Sequence, residues 1–309
     1  MDVQAKGVAR RARKPTTGVA RRAADTSNLK NFKAKAATLV DPRKFDGAGP
    51  KRLIFIGDIH GCLPEFNALL TKVQYKQGQD QIVLVGDLVA KGPDSAAVVN
   101  RARQLQAWGV RGNHDDRVIR WREFLQGPAK GMSQSDLESL GSSGLPYDDF
   151  KPNKEHFTIA KSLAPCDAAY LAAFPAIIPL PKPYAEWVVV HGGLDPTKPL
   201  AQQKAEDVWT TRNIGPNGPI STKDAGVAWF DAWAKAMANL KPTTPADYSK
   251  IQFYKPIYGH DAGRGLQIHP LTKGLDSRCV YGGNLTAFIL PGEQLVSVPC
   301  KARVSSKDD

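Results

Sequence analysis

A chain of 309 residues with 42 % hydrophobic side chains fits one large domain or two modest ones with a sizeable core. It has no run of ~18 uncharged apolar residues, so no segment is expected to span a membrane, and the basic N-terminus lacks the apolar stretch of a secretory signal. The formal charge of +12 is mostly a tail property: residues 1–50 hold 12 Lys/Arg against 4 Asp, which leaves +4 for everything downstream.

Such a tail can attract nucleic acid, acidic lipid or another polyanion, or serve as a solubilising or targeting extension. Residues 1–35 are rich in Ala, Lys and Arg, with a short echo between 7–12 and 18–23 separated by Pro15. Disorder is the expectation there, because the segment has few large apolar groups. Asp41-Pro42 and the Gly/Pro-rich run at 47–50 read as a linker. The expected organisation is therefore a basic extension over 1–50, a catalytic domain over 51–300 and a loose tail over 301–309. Cys62, Cys166, Cys279 and Cys300 are widely spaced and form no CxxC pair, which suits a reducing, cytoplasmic setting and argues against structural zinc.

From 51 to about 115 the pattern predicts βαβαβ. A strand over 53–56 leads to a helix over 64–76, then a strand over 82–85, a helix over 94–107 and a short strand near 108–111. Continuous apolar strands alternating with helices indicate an internal sheet covered by helices. The stretch 117–186 differs: a helix continues through Trp121, 127–155 reads as loop, and a helix over about 161–173 ends near Pro175. An insertion of this length could form a cap over a site or a solvated elaboration. Strands are expected at 187–190 and 256–258, and the run Asn284–Leu290 reads as paired strands finishing a second sheet. Trp209, Trp229, Phe230 and Trp233 are read as core.

The strand ends carry the chemistry. The first apolar run stops at Gly57-Asp58-Ile59-His60-Gly61, and later runs stop at Gly86-Asp87, Gly112-Asn113-His114-Asp115, His191-Gly192-Gly193 and Gly259-His260-Asp261. Four of the six histidines follow a strand in this way, whereas His156 and His269 do not. Open α/β folds place ligands above the carboxyl ends of their strands. Six candidate ligands result: Asp58, His60, Asp87, Asn113, His191 and His260. They are too many for one ion with a vacant position and natural for two ions sharing a carboxylate about 3.5–4 Å apart. Oxygen and imidazole donors without thiolate suit Mn²⁺, Zn²⁺ or Fe²⁺. The implied reaction is hydrolysis at phosphorus by a metal-bound hydroxide, in line and without a covalent enzyme intermediate. His114 is either the proton donor to the departing oxygen, with Asp115 as a candidate to tune it, or a further ligand. Arg111, Lys91 and Arg212 are candidate cations for phosphate oxygens.

These motifs, with Gly86-Asp87-Leu88-Val89-Ala90-Lys91-Gly92-Pro93, Trp209-Thr210-Thr211-Arg212 and the stretch from Leu275 to Ala287, resemble calcineurin-like metallophosphoesterases. Within that superfamily they are most similar to the phosphoprotein-phosphatase branch and its symmetrical diadenosine-tetraphosphatase relatives. The resemblance covers roughly 51–291 and implies an α/β sandwich of two mixed sheets flanked by helices, with the metals at the strand ends. It implies that Asp58 and His60 hold one metal together with bridging Asp87, and that Asn113, His191 and His260 complete the second. It also implies His114 as proton donor, with Arg111 and Arg212 gripping phosphate.

Protein Ser/Thr phosphatases carry Asp-Arg where this chain has Ala90-Lys91, which moves the expectation from phosphoproteins toward phosphoanhydrides. Dinucleoside polyphosphates and inorganic polyphosphate are the expected substrates, ahead of mRNA caps and phosphoproteins. A non-catalytic polyanion-binding scaffold is the competing class. Intact Asp58, His60, Asp87, Asn113, His191 and His260 argue against it.

Overall fold

The computed structural model describes residues 29–45, 49–239 and 253–304. Strands β1 (Arg52–Ile56), β2 (Asp80–Leu84) and β3 (Trp108–Gly109) alternate with helices α1 (Leu63–Lys72) and α2 (Ser95–Gln104). A helical stretch follows: α3 (Asn113–Gln126), α4 (Gln134–Ser139), α5 (Gly141–Gly144), α6 (Glu155–Ser162) and α7 (Pro165–Ala172). The chain then runs through β4 (Ile178–Pro179), β5 (Trp187–Val189), α8 (Ala205–Thr210), β6 (Asn213–Gly215), β7 (Gly218–Ile220), β8 (Val227–Ala228) and α9 (Trp229–Asn239). It closes with β9 (Lys255–Tyr258), β10 (Gln267–Ile268), β11 (Lys273–Gly274), β12 (Asn284–Leu290) and β13 (Gln294–Pro299). No helix among the described residues is long and apolar enough to cross a membrane.

Two mixed five-stranded sheets, ordered β13-β12-β1-β2-β3 and β10-β11-β9-β5-β4, form the sandwich, and β7-β6-β8 make a small third sheet. Alternation along β1 explains the layers. Leu53 and Phe55 face the other sheet, among Trp187, Val189 and Ile257, while Ile54 and Ile56 face the helices with Phe66 and Trp121. Both faces of the strand are thus buried, which is why its sequence is a continuous apolar run. The second sheet turns Val188, Val190 and Tyr258 the other way, onto Trp209, Trp229 and Trp233. The reading of these three tryptophans as core agrees with that packing.

Several expectations need correction. Helices α1 and α2 stop earlier than their apolar patterns suggest, each followed by a glutamine, Gln74 and Gln106, with φ of 52°. A left-handed residue there ends the helical hydrogen-bond ladder. The helix expected over 161–173 is two helices, because Pro165 opens α7 at a position where its missing N–H costs nothing. The 127–155 stretch holds α4 and α5 instead of loop alone. Strand β12 joins the first sheet, not the second: it pairs antiparallel with β1 in the register Phe55↔Phe288.

The chain ends are also more engaged than expected. Among the described residues, Leu29 is already buried. Phe32 packs on Phe124, the Ala34 amide donates to the Tyr147 hydroxyl, and Val40 bridges to Ile177. The echo at 7–12 and 18–23 lies outside the described residues. Beyond β13, Arg303 pairs with Glu65 at 3.2 Å and Ala302 bridges to Tyr281, so the tail is fixed as far as it is described. Cys279 and Cys300 form a disulfide, which the expectation of a reducing setting did not include. The β12–β13 hairpin brings them together by pairing Asn284 with Pro299.

Candidate metal centre

Asp87 lies at the middle of the strand-end loops. Its carbonyl accepts from the Ile59 and His60 amides at 3.2 and 2.9 Å, stitching the loop after β1 to the loop after β2. Its carboxylate Oδ1 accepts from the His114 amide at 2.9 Å, fixing the start of α3 to the same group. The other oxygen, Oδ2, lies 3.3 Å from His191 Nε2 and 3.7 Å from His60 Nε2, between imidazoles supplied by different sheets. His60, Asp87 and His260 all adopt positive φ, at 46°, 50° and 71°. Non-glycine residues rarely do so, and clusters of them mark sites where side-chain direction outweighs backbone comfort. Gly112 and Gly259 leave the room this requires, since a Cβ on either would collide with the carboxylate of Asp87 or Asp58.

Backbone carbonyls fix the imidazole tautomers. His60 Nδ1 donates to the Val89 carbonyl at 3.0 Å and His191 Nδ1 to the Val85 carbonyl at 2.8 Å, leaving both Nε2 atoms turned toward Asp87. His260 Nε2 donates to the Thr210 carbonyl at 3.1 Å, so its Nδ1 is the atom left to face the cluster. Holding one nitrogen by a backbone acceptor is how proteins prepare the other as a metal ligand. Asn113 Oδ1 lies 3.1 Å from His191 Nε2. Asp58 Oδ2 accepts from the His260 amide at 3.0 Å, while its buried Oδ1 has no hydrogen-bond partner.

Two three-residue groups, His60–Asp87–His114 and Asp87–His191–His260, present donor atoms all within 4.8 Å of one another. Asp87 belongs to both. The electrostatics favour cations here. Burial, then the nearby Asp276 carboxylate, raises the Asp58 carboxyl well above its ordinary range. Burial opposes ionisation of Asp87 too, yet the His191 and His114 imidazoles hold its carboxyl well below that range. Burial lowers His191, but the Asp87 carboxylate outweighs it and pushes the imidazole up to about 9. Burial pushes His60 down to about 4. Crowded carboxylates that share too few positive charges, an orphaned oxygen and oriented imidazoles together fit divalent ions bound by oxygen and nitrogen.

A cavity of about 470 Å³ opens over Asp87, Asn113, His114 and His260. Lys91 and Arg212, both expected from the sequence, line it. Lys91 Nζ donates to the Tyr281 hydroxyl at 2.7 Å, and Arg212 donates to the Ser221 carbonyl at 2.9 Å. Arg111 does not line this cavity. Its guanidinium is buried on Asp116 at 3.2 Å and the Ala172 carbonyl at 2.5 Å, which joins α3 to α7. Asp115 does not touch the His114 ring either, for its carboxylate accepts from the Leu88 and Gly112 amides.

The sequence reading gave no role to His156, Lys223, Arg278 or Tyr281. The last three line the cavity, and His156 Nε2 lies 2.9 Å from His114 Nδ1. Arg278 and Tyr281 follow buried Asp276 in the stretch already singled out by resemblance. Nothing in the sequence around His156 marks it.

Residues 51–276 match the calcineurin-like phosphoesterase family. The symmetrical bis(5'-nucleosyl)-tetraphosphatase of Aromatoleum aromaticum is 25 % identical over 292 residues, covering 81 % of this chain and 98 % of the relative. The asymmetrical enzyme PrpE of Oceanobacillus iheyensis is 25 % identical, covering 80 % and 92 %. A solved structure of a candidate diadenosine tetraphosphatase superposes with a TM-score of 0.64 at 33 % identity, covering 86 % of this chain and 99 % of that one. With the motifs in order, the donor groups assembled and the match including strands of both sheets, the chain belongs to the calcineurin-like phosphoesterase family and is a hydrolase.

Proposed function

We propose that this protein hydrolyses the phosphoanhydride bonds of dinucleoside polyphosphates of the diadenosine-tetraphosphate type. The observation that carries the reading is the position of Asp87, common to two donor groups at the floor of a cavity rimmed by Lys91, Arg212, Lys223 and Arg278. Asp58, His60 and Asp87 would hold one divalent ion, and Asp87, Asn113, His191 and His260 the other. When bound, a pair of Mn²⁺, Zn²⁺ or Fe²⁺ ions would activate water and neutralise charge on the attacked phosphoryl group.

The protein's own groups do the rest. Lys91 and Arg212 sit on the rim where non-bridging oxygens of a phosphate chain would lie, with Arg278 and Lys223 extending the positive track. His114 is held beside Asp87 by its own amide and is the group assigned to protonate the departing oxygen. Arg111 is assigned to joining α3 to α7, not to substrate. The names of the tetraphosphatase relatives favour a nucleotide over inorganic polyphosphate.

The test is a product analysis in defined metals, with diadenosine tetraphosphate, long-chain polyphosphate, capped RNA and a phosphopeptide side by side. The reading expects diadenosine tetraphosphate to give the highest kcat/KM. Preferential turnover of any of the other three contradicts it.

A further inference from the structure

His156 stands on α6, about 35 residues from the nearest strand-end motif in sequence, and yet it meets the site. Its Nε2 lies 2.9 Å from His114 Nδ1, the two rings are within 17° of parallel, and His156 is buried. The preceding residue reaches the same site from the same helical turn: Glu155 Oε2 accepts from the Lys91 amide at 2.8 Å. Helix α6 is itself fixed to α3, with Phe157 edge-on to Trp121 at 5.3 Å and Arg122 donating to the Ala160 carbonyl at 2.7 Å. The start of α6 therefore touches both the ring beside Asp87 and the loop that carries a rim cation.

We propose that His156 is a positioning residue for His114, accepting the His114 Nδ1–H and so aiming the opposite nitrogen, Nε2, into the cavity. An imidazole attached through one rotatable ring bond can otherwise present either nitrogen, and a fixed partner on Nδ1 removes that choice. As the oxygen of the attacking water bonds to phosphorus and its proton passes to solvent, the P–O bond to the leaving group breaks with its electron pair on the leaving oxygen, which takes the Nε2 proton of the His114 imidazolium. His114 is left neutral, its Nδ1 proton still shared with His156. Fixed orientation of a proton donor is a recognised source of rate. The helical insertion thus supplies a working part of the site. This inference rests on the reading of His114 as proton donor.

The test is His156→Leu and His156→Gln, assayed on aryl phosphates from p-nitrophenyl to unsubstituted phenyl. The phenyl leaving group needs protonation far more than the nitrophenyl one. His156→Leu should lower kcat about tenfold or more on the phenyl ester and less than about threefold on the nitrophenyl ester, with KM and bound metal unchanged. His156→Gln, which keeps an acceptor, should recover part of the loss. A uniform loss across the series, no loss at all, or a fall in bound metal overturns the proposal.

Long-range ¹H–¹⁵N correlation spectra of the wild-type protein decide independently of whether the variants fold or the esters turn over. One fixed His114 tautomer, protonated at Nδ1, supports the pairing, and averaged tautomers or a bare Nδ1 overturn it. Failure of the wild-type protein to cleave diadenosine tetraphosphate would remove the substrate reading and leave the histidine pairing standing on these spectra.

Discussion

The five strand-end loops and the helical layer from α3 to α7 meet at the same site but are built from opposite materials. The loops are short and rich in glycine, with three candidate ligands in left-handed backbone conformations. Hydrogen bonds join them: the Ile59 and His60 amides to the Asp87 carbonyl, the His114 amide to the Asp87 carboxylate, the Gly259 amide to the His191 carbonyl and the His260 amide to the Asp58 carboxylate. The helical layer is held by aromatic packing: Trp121 stacks on Phe150 with centroids 3.9 Å apart, and Phe124 and Phe157 meet it edge-on. One region sets which atoms converge; the other sets how rigidly the start of α3 is presented to them. Apart from Asn113, His114 and His156, which the helical layer extends into the site, chemistry and stability should therefore separate on mutation.

The largest expected effect lies in the loops. Asp87→Asn removes the charge shared by both donor groups, and kcat should fall by about 10³-fold or more while the circular dichroism spectrum stays unchanged. In the helical layer, Trp121→Ala should cost about 3–5 kcal/mol of stability, read as a lowered urea midpoint, with kcat per folded molecule within a few-fold of wild type. If Trp121→Ala instead abolished activity in protein that remains folded, the division between the regions would fail.

Smaller effects sharpen it. Arg278→Ala removes a rim cation without touching the donor groups, so KM should rise about tenfold with little change in kcat. The least effect belongs to Asp149, which sits between Arg117 and Arg120 at 2.9 and 2.7 Å. Burial raises its carboxyl, but the Arg120 hydrogen bond and charge win and bring it down to about 2. A depressed folded-state value means that the stabilisation is complete above the unfolded carboxyl's pKa of about 4 and is lost as pH falls through about 2. Asp149→Asn should thus lower stability at pH 7 by about 1 kcal/mol after solvent screening, and the difference from wild type should vanish in acid melts.

The same contrast explains what could be read from the sequence. A strand buried on both faces announces itself as an apolar run, and a glycine-flanked Asp or His at its end has few structural reasons to be there. Asp58, His60, Asp87, Asn113, His191 and His260 could therefore be named; the structure gathers His60, Asp87, His191 and His260 into two donor groups with His114, and sets Asn113 against His191 and Asp58 against the His260 amide. Arg111 shows the limit of this reading. Adjacent to a ligand loop in sequence, it points the other way, into Asp116 and Ala172. His156 shows the converse, since its place beside His114 depends on how α6 packs across α3, a long-range contact without local periodicity to reveal it. The sheet assignment of β12 failed for the same reason, because strand pairing over more than two hundred residues leaves no local trace.

Anomalous-scattering crystallography of protein saturated with Mn²⁺ tests the centre most directly. Two manganese peaks about 3.5–4 Å apart, with a carboxylate oxygen of Asp87 within bonding distance of both, are the predicted result. A single peak at saturation, or two peaks that do not share Asp87, would contradict the account.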